Sequence, residues 1–93
     1  MIKSFKHKGL RDFAQTSNSA KLAVQNPDRI RRILVALDAA KSPAMMNLPG
    51  LKFHALKGAD KGRYAVWASG NSRITFAFAG VDVIDVNLED YHR

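Results

Sequence analysis

The last eleven residues of the chain constrain its fold more than any other stretch. From residue 83 to residue 89, Ile84, Val86 and Leu88 alternate with polar residues, which is the period of a strand with one buried face. The strand leads directly into Asp90-Tyr91-His92, which carries a carboxylate, a phenol and an imidazole. Chain ends fray unless packing holds them. The pattern therefore predicts a tail held against a sheet, with the chemistry of the protein located there.

Three further strand signals precede this stretch. Residues 63–68 and 72–79 predict two strands, and Ser69-Gly70-Asn71 between them is typical of a β-hairpin. Residues 52–56 predict a shorter strand, followed by a loop over residues 58–62. Together these segments indicate an antiparallel sheet built from the second half of the chain.

The register of the last two strands follows from their apolar rows. A two-residue turn at Gly80-Val81 would place the two rows on opposite faces of the sheet. We therefore expect a three-residue loop that contains Gly80, which sets Arg73 opposite Asn87 or Glu89 on the polar face. Arg73 then lies within a residue or two of the C-terminal tail.

The strongest helix signal begins at Asn26. Asn26 is a good N-cap, Pro27 suits the first helical position, and Asp28 complements the positive end of the helix dipole. One apolar stripe follows at i, i+3, i+4 and i+7: Ile30, Ile33, Leu34 and Leu37. Ser42-Pro43 ends this helix and starts one further turn.

The N-terminal segment adds two short elements. Residues 2–5 predict an edge strand whose flanking lysines discourage pairing with other chains. Residues 9–14 predict a short helix that buries Leu10 and Phe13. Helices first and strands later indicate an α+β fold, in which N-terminal helices pack on one face of an antiparallel sheet.

Length and composition narrow the class of protein. The 93 residues predict a single domain, 1–93. Because the chain has no cysteine, disulfides, thiol catalysis and cysteine-based zinc sites are excluded, and a reducing cytoplasm is the expected setting. No apolar run reaches the ~20 residues of a membrane span, and the start of the chain lacks the apolar core of a signal peptide. No membrane association is expected.

The charge is positive and uneven. The net charge is +7; residues 1–50 hold nine Lys and Arg against three acids, or +6, and residues 51–93 hold six against five, or +1. A basic half of this kind favours a polyanionic partner such as nucleic acid or an acidic protein. The alternative is a small protein that is basic without such a partner.

Histidine is the first candidate for catalysis, since imidazole titrates nearest to working pH. His7, His54 and His92 are scattered along the chain, whereas zinc-binding pairs sit a few residues apart. A general acid or base is therefore expected before a metal site, and no cofactor is expected. A hydrogen-bonded surface histidine is the ordinary alternative for each.

Two cations and a tyrosine complete the candidates. Lys57 opens the glycine-bounded loop and alone would be a solvated charge. Arg73 alone would be a polar strand residue paired with Glu89 or Asp85. Tyr91 alone would be a packing anchor, with a solvated acid beside it.

In combination these residues suit one reaction. Cutting RNA without a metal needs a base for the 2′-hydroxyl proton, cations for the scissile phosphate and an acid for the leaving 5′-oxygen. Two histidines, a lysine and an arginine can supply those groups, and an aromatic ring can stack on a base. The composition permits this reaction without selecting it.

The sequence resembles the HigB toxins of bacterial HigBA toxin–antitoxin pairs, also called plasmid-maintenance killer proteins. The resemblance runs nearly end to end, and its specificity comes from the order and spacing of short segments. Those segments are Met1-Ile2-Lys3-Ser4-Phe5-Lys6-His7-Lys8-Gly9-Leu10, Leu37-Asp38-Ala39-Ala40, Asn47-Leu48-Pro49-Gly50, Leu56-Lys57-Gly58, Lys61-Gly62-Arg63, Ser69-Gly70-Asn71, Arg73-Ile74-Thr75-Phe76 and Asp90-Tyr91-His92.

The resemblance implies a RelE-like fold and a metal-independent endonuclease that cuts messenger RNA in the decoding site of the 70S ribosome. It also implies a helix-turn-helix antitoxin similar to HigA. Operator DNA would be bound only through the complex of the two proteins.

The family's functional positions can be carried over residue by residue. His54 and His92 match the acid and base positions, without deciding which is which. Lys57 and Arg73 match the phosphate-contacting cations, and Asp90 and Tyr91 match the acid and the aromatic of the tail. A basic surface would face ribosomal RNA or, as the alternative, would be a solvated helix face; its residues are Lys6, Lys8, Arg29, Arg31 and Arg32.

Two departures from the family pattern stand out. Ser72 occupies a position where the family usually has a bulky aromatic, beside Arg73. Residues 16–26 follow the pattern poorly, in a region that antitoxins contact.

Two rival functions stay open. A ParE-like toxin on the same fold would inhibit DNA gyrase by protein binding, although the retained histidines and cations argue against it. A basic RNA-binding module without chemistry would be insensitive to His92→Ala beyond binding.

Overall fold

Two helices and a four-stranded antiparallel sheet make up the part of the protein that the structure describes. The computed structural model describes residues 1–18, 22 and 26–90. The elements are α1 (Lys8–Thr16), α2 (Pro27–Ala39), β1 (His54–Ala55), β2 (Tyr64–Ser69), β3 (Ser72–Ala79) and β4 (Asp82–Asp90), with 3₁₀ turns at Pro43–Met46 and Gly58–Asp60. The strands lie in the order β1-β2-β3-β4. The predicted α+β class is confirmed.

Side-chain caps begin both helices. The His7 ring accepts a hydrogen bond from the Leu10 backbone N–H at its Nδ1, at 3.0 Å, and so caps α1. The Asn26 side chain accepts one from the Arg29 N–H at 3.1 Å, with Pro27 in the first turn of α2, as predicted. Each cap pairs an amide that the first helical turn would otherwise leave without a partner.

The apolar stripes of both helices are buried against one face of the sheet. The largest fully buried side chains are Phe76, Leu10, Ile30, Leu37, Met46, Ile74, Val66, Val83 and Val86. Phe53, Tyr64 and Phe76 stack in sequence, with ring centroids 5.9 and 6.0 Å apart. The predicted stripe of α2 is confirmed, because Ile30, Ile33, Leu34 and Leu37 are all buried. None of the helices in the described ranges is long and apolar enough to cross a membrane.

The predicted three-residue turn between β3 and β4 is wrong. Ala79 pairs with Asp82, so the turn at Gly80-Val81 has two residues rather than three. The expected one-residue shift arises further along, at a β-bulge between Thr75 and Ala77, where Asp85 on β4 has φ 54. An extra residue in one strand moves every later side chain to the other face. Val83, before the bulge, and Val86, after it, therefore both lie in the core.

Two other predicted strands are shorter than expected. The strand over 52–56 is reduced to His54–Ala55, because Lys52 has φ 51, which interrupts an extended chain. Residues 2–5 form two isolated parallel bridges, Ile2↔Val83 and Phe5↔Val86, rather than a regular strand. The N-terminal segment thereby covers the outer edge of β4.

Candidate active site

The sheet face opposite the helices carries the polar side chains. Ile74 and Phe76 of β3 are in the core, so Arg73 and Thr75, which alternate with them, project from the other face. Two rows of paired residues cross this face. One row is His54, Ala65, Thr75 and Asn87; the next is Trp67, Arg73 and Glu89.

Arg73 and Glu89 form the centre of a hydrogen-bond network. Arg73 Nε and Nη2 donate to Glu89 Oε1 at 3.3 and 3.1 Å. Thr75 Oγ1 and Asn87 Nδ2 donate to the other carboxylate oxygen, Oε2, at 2.8 and 3.2 Å. The Arg73 and Glu89 side chains are 20% and 32% exposed, so the ion pair is shielded more than an ordinary surface pair. One carboxylate thus orients three side chains.

The network changes the acidity of Glu89. Burial raises the pKa of this carboxyl, but the hydrogen bonds from Thr75 and Arg73, the positive charge of Arg73 and the hydrogen bond from Asn87 together lower the pKa below its ordinary value of 4.5. Glu89 is therefore ionised at neutral pH and keeps its attraction for the guanidinium.

Arg63 connects the network to the β-bulge. Arg63 Nη2 donates to Thr75 Oγ1 at 2.8 Å and to the Asp85 carbonyl oxygen at 2.9 Å. Ser4 Oγ accepts a hydrogen bond from the Asp85 N–H at 2.8 Å and lies 3.3 Å from Asp85 Oδ1. Arg63, just before β2, thus holds the bulge on one side, and Ser4 of the N-terminal segment holds it on the other.

His54 lies on the edge strand of the same face. Its side chain is exposed, and its Nδ1 lies 3.0 Å from the Lys52 carbonyl oxygen. A carbonyl only accepts, so Nδ1 carries the proton of this bond. Both the neutral and the protonated ring can make the bond, so it fixes the orientation of the ring rather than its charge.

The predicted site residues extend diagonally across the sheet. His54 is two strands from Thr75 along one row, a backbone separation of about 10 Å at ordinary strand spacing. Exposed Lys57 lies beyond the end of β1 and precedes the Gly58–Asp60 turn. Asp90 pairs with Ser72 at the opposite edge, one position from Arg73. The register therefore brings Asp90 close to Arg73 and keeps Lys57 apart from it.

The predicted tail lies mostly outside the described residues. Tyr91 and His92 are not among them, and neither are residues 19–21 and 23–25 of the segment that departs from the family pattern. Their predicted roles stay predictions. Ser72, the other departure, is half-buried opposite Asp90.

The predicted RNA-binding cations fall into two groups. Lys6, Lys8, Arg31 and Arg32 are exposed. Arg31 also pairs with Asp28 at 2.9 Å. Arg29 is half-buried: its Nη2 donates to the Gly50 carbonyl at 2.8 Å, and its guanidinium lies 4.5 Å from the centre of the Trp67 ring. Arg29 thus anchors the loop at Gly50, and any contact with RNA would use a side chain that is already engaged.

Sequence reasoning placed Glu89 only as one ordinary partner of Arg73, and it missed Thr75, Asn87 and Arg63. The alternating pattern and the one-residue shift did set Arg73 opposite Asn87 or Glu89, and the pairing with Glu89 is confirmed. The convergence of three side chains on one carboxylate depends on rotamers, which a pattern of apolar residues does not encode. Across residues 1–18, 22 and 26–90, no three His, Asp or Glu side chains are grouped so that they could hold a metal ion.

Comparison with known proteins places this arrangement among bacterial toxins. The profile of HigB-like toxins, described as RelE-like toxins of the type II toxin–antitoxin system HigB, matches residues 3–92. The endoribonuclease HigB of Proteus vulgaris is 40% identical over 92 residues, which cover 99% of this chain and 100% of that protein. The crystal structure of a copper-bound mutant toxin from Helicobacter pylori aligns over 98% of this chain and 96% of the other, with a TM-score of 0.63 and 17% identity. At that identity the last comparison shows a shared fold only.

Proposed function

We propose a function from one premise: the chain belongs to the HigB family of RelE-like toxins of type II toxin–antitoxin systems. It is an endoribonuclease toxin, and such a toxin has a cognate antitoxin. Its substrate is messenger RNA held in the decoding site of the ribosome, and cleavage there stops translation. The protein acts in the cytoplasm, where ribosomes are found.

The observation that carries the proposal is the polar sheet face with Arg73 at its centre. Arg73 lies in the row next to that of His54 and one position from the pair Ser72↔Asp90, at the end of β4. An arginine fork matches the geometry of two phosphate oxygens. A phosphodiester bound at Arg73 therefore has His54 on one side and Asp90, the last described residue, on the other.

Each residue has a role in this reaction. One histidine removes the proton from the 2′-hydroxyl, and the other donates a proton to the leaving 5′-oxygen. The 2′-oxygen forms a bond to phosphorus while the bond from phosphorus to the 5′-oxygen breaks, which leaves a 2′,3′-cyclic phosphate and a 5′-hydroxyl. Arg73 stabilises the negative charge that develops on the phosphoryl oxygens, and Lys57, which lies beyond the end of β1, contacts a phosphate of the RNA backbone. Tyr91 stacks on a base beside the cut, and Asp90 orients the tail, while His54 and His92 exchange the protons.

The ribosome is proposed to present the messenger to this sheet face in a fixed conformation. The exposed cations Lys6, Lys8, Arg31 and Arg32 would contact ribosomal RNA, so this binding should weaken as salt rises.

The antitoxin is proposed to be a helix-turn-helix protein similar to HigA. Its complex with this chain would bind operator DNA and repress their shared operon, and the toxin itself would not contact the DNA. An acidic surface on such an antitoxin would complement the net charge of +7.

Primer extension on messenger RNA loaded in bacterial ribosomes tests the proposal. We expect cuts at codons in the decoding site with the wild-type protein. The cuts should be lost with His92→Ala, and they should be reduced with Arg73→Lys, because lysine keeps the charge but lacks the two-pronged donor geometry. Lys41→Ala is the matched control, because Lys41 is an exposed cation outside the predicted sites and should leave the cuts unchanged.

Intact messenger from a folded wild-type protein that still arrests growth would overturn the endoribonuclease assignment, and DNA gyrase would be the next target to assay. Cuts that persist in His92→Ala would remove the tail histidine from the mechanism. Cuts at positions unrelated to the decoding site would overturn ribosome dependence alone.

A further inference from the structure

We propose that Glu89 is a positioning residue that holds the guanidinium of Arg73 in its reactive orientation, with Thr75, Asn87 and Arg63 holding Glu89 in turn. The inference rests on the proposed function of Arg73 as the cation that stabilises the transition state. It adds residues to which neither the family resemblance nor the comparisons assign a role.

The geometry explains why Glu89 can orient Arg73. Oε1 receives two hydrogen bonds from one edge of the guanidinium, at 3.1 and 3.3 Å, which fixes the plane of that group as well as its position. An arginine side chain has many rotamers in solution. The two hydrogen bonds to Glu89 therefore limit the orientations in which the guanidinium can contact an incoming phosphate.

Glu89 itself is fixed by its second oxygen. Oε2 receives hydrogen bonds from Thr75 and Asn87. Thr75 is fully buried, and its hydroxyl also accepts a hydrogen bond from Arg63, which donates to the Asp85 carbonyl as well. The carboxylate therefore receives four hydrogen bonds from three neighbouring side chains, close to the number of its lone-pair sites.

The same contacts argue against a second possibility, in which Glu89 merely occupies the phosphate site of Arg73 until RNA displaces it. A displaceable carboxylate would have few partners besides the arginine. Releasing Glu89 would leave the hydroxyl of buried Thr75 without its acceptor, which is costly away from water. A positioning role predicts slower cleavage when Glu89 is removed, whereas an occupying role predicts tighter RNA binding and equal or faster cleavage.

A double-mutant cycle on single-turnover cleavage of ribosome-bound messenger tests the proposal. Glu89→Ala should lower kcat by about 10²-fold with little change in KM, because a misplaced group costs on the order of that factor. Glu89→Gln keeps the acceptor for Arg73 but not the charge, so its loss should be smaller. In an Arg73→Ala background, Glu89→Ala should add less than about a threefold further loss, because a residue that acts through another has no effect once that other is gone.

Asp82→Asn is the matched control. Asp82 is a carboxylate on the same strand, it pairs with the terminal ammonium of Met1 at 3.7 Å, and it lies outside the network. Its kcat should equal that of the wild type. Equal losses from Glu89→Ala in the presence and absence of Arg73 would overturn the proposal, and so would faster cleavage or tighter binding of RNA by Glu89→Gln.

A second measurement needs no cleavage. The Nε–H proton of Arg73 should be visible by NMR and exchange slowly with water in the free wild-type protein. In Glu89→Gln it should exchange faster and in Glu89→Ala fastest. A rapidly exchanging Nε–H in the wild type would overturn the positioning role, even if RNA is cut. A wild-type protein that cuts no RNA but protects this proton would overturn the proposed function and leave the ordering of Arg73 by Glu89 in place.

Discussion

The bulge at Asp85 can be tested by the order of stability of two substitutions. At a regular strand position, glycine is less stable than alanine by about 0.5–1 kcal/mol, because it loses more backbone freedom on folding. Asp85 has φ 54, a left-handed conformation that costs an alanine roughly 1–2 kcal/mol and a glycine almost nothing. The order should therefore reverse, with Asp85→Gly more stable than Asp85→Ala by about 0.5–1 kcal/mol.

Both variants should also be less stable than the wild type. Each loses the 3.3 Å contact between Asp85 Oδ1 and Ser4 Oγ, a long hydrogen bond that we take as about 0.5 kcal/mol. Each keeps the Asp85 backbone donor to Ser4. The expected loss of unfolding free energy is about 0.5 kcal/mol for Asp85→Gly and about 1–1.5 kcal/mol for Asp85→Ala.

Equilibrium unfolding in urea, followed by the fluorescence of the single tryptophan Trp67, measures these differences. Ala77→Gly is the control, since Ala77 pairs with Ile84 in the regular part of the same hairpin. That change should destabilise by about 0.5–1 kcal/mol. If alanine proves more stable than glycine at position 85 as it is at position 77, Asp85 is not in a left-handed bulge and the register argument fails.

Three further predictions concern stability. Asn26→Ala removes the acceptor that caps α2 and should cost about 1 kcal/mol in urea unfolding; an unchanged midpoint would mean that the cap contributes nothing. Leu37→Ala, at a fully buried position, should cost about 2–5 kcal/mol, whereas Val35→Ala, at a position 66% exposed on the same helix, should stay within about 0.5 kcal/mol. Equal costs would contradict the assigned core face of α2. Because the folded pKa of Glu89 is lowered, its ionised form stabilises the fold above pH 4.5, and this contribution is lost as pH falls through the folded pKa. The difference in unfolding free energy between the wild type and Glu89→Gln should therefore shrink on acidification. A difference that stays constant with pH would refute this reasoning.

Both helices and the Asn26 cap of α2 could be predicted because their signals are local, whereas the His7 cap of α1 was not predicted. Asn26, Pro27 and the apolar stripe from Ile30 to Leu37 each act within one or two turns, and the structure places them as expected. The lengths of the edge strands could not be predicted, since they depend on partners that are distant in sequence. Residues 2–5 pair with β4 more than 80 positions away, and Lys52 leaves the extended conformation where the chain joins the sheet.

The arrangement of the candidate active site could be predicted only in part. Arg73 lies on the expected polar sheet face, because strand alternation is a strong rule, and the register adds His54 to the same face. The distance between Lys57 and Arg73 was not accessible, because it depends on where β1 ends. The partners of Glu89 were not accessible either, since each is an ordinary polar residue until the register brings them to one carboxylate.

The bulge explains why the polar network and the core can exist together. With the two-residue turn at Gly80-Val81 and no bulge, Arg73 would face Leu88, and Glu89 would project into the core beside the helices. That arrangement buries a carboxylate without its partners and exposes Val86 and Leu88. The buried carboxylate and the exposed apolar side chains would each cost several kcal/mol of unfolding free energy, on the order expected for such changes. The extra residue at Asp85 returns Val86 and Leu88 to the core and Glu89 to Arg73 in a single step. The requirements of folding and of the proposed chemistry thus select the same register, and for this reason the apolar alternation of the last strand limits the residue opposite Arg73 to Asn87 or Glu89 without any knowledge of the reaction.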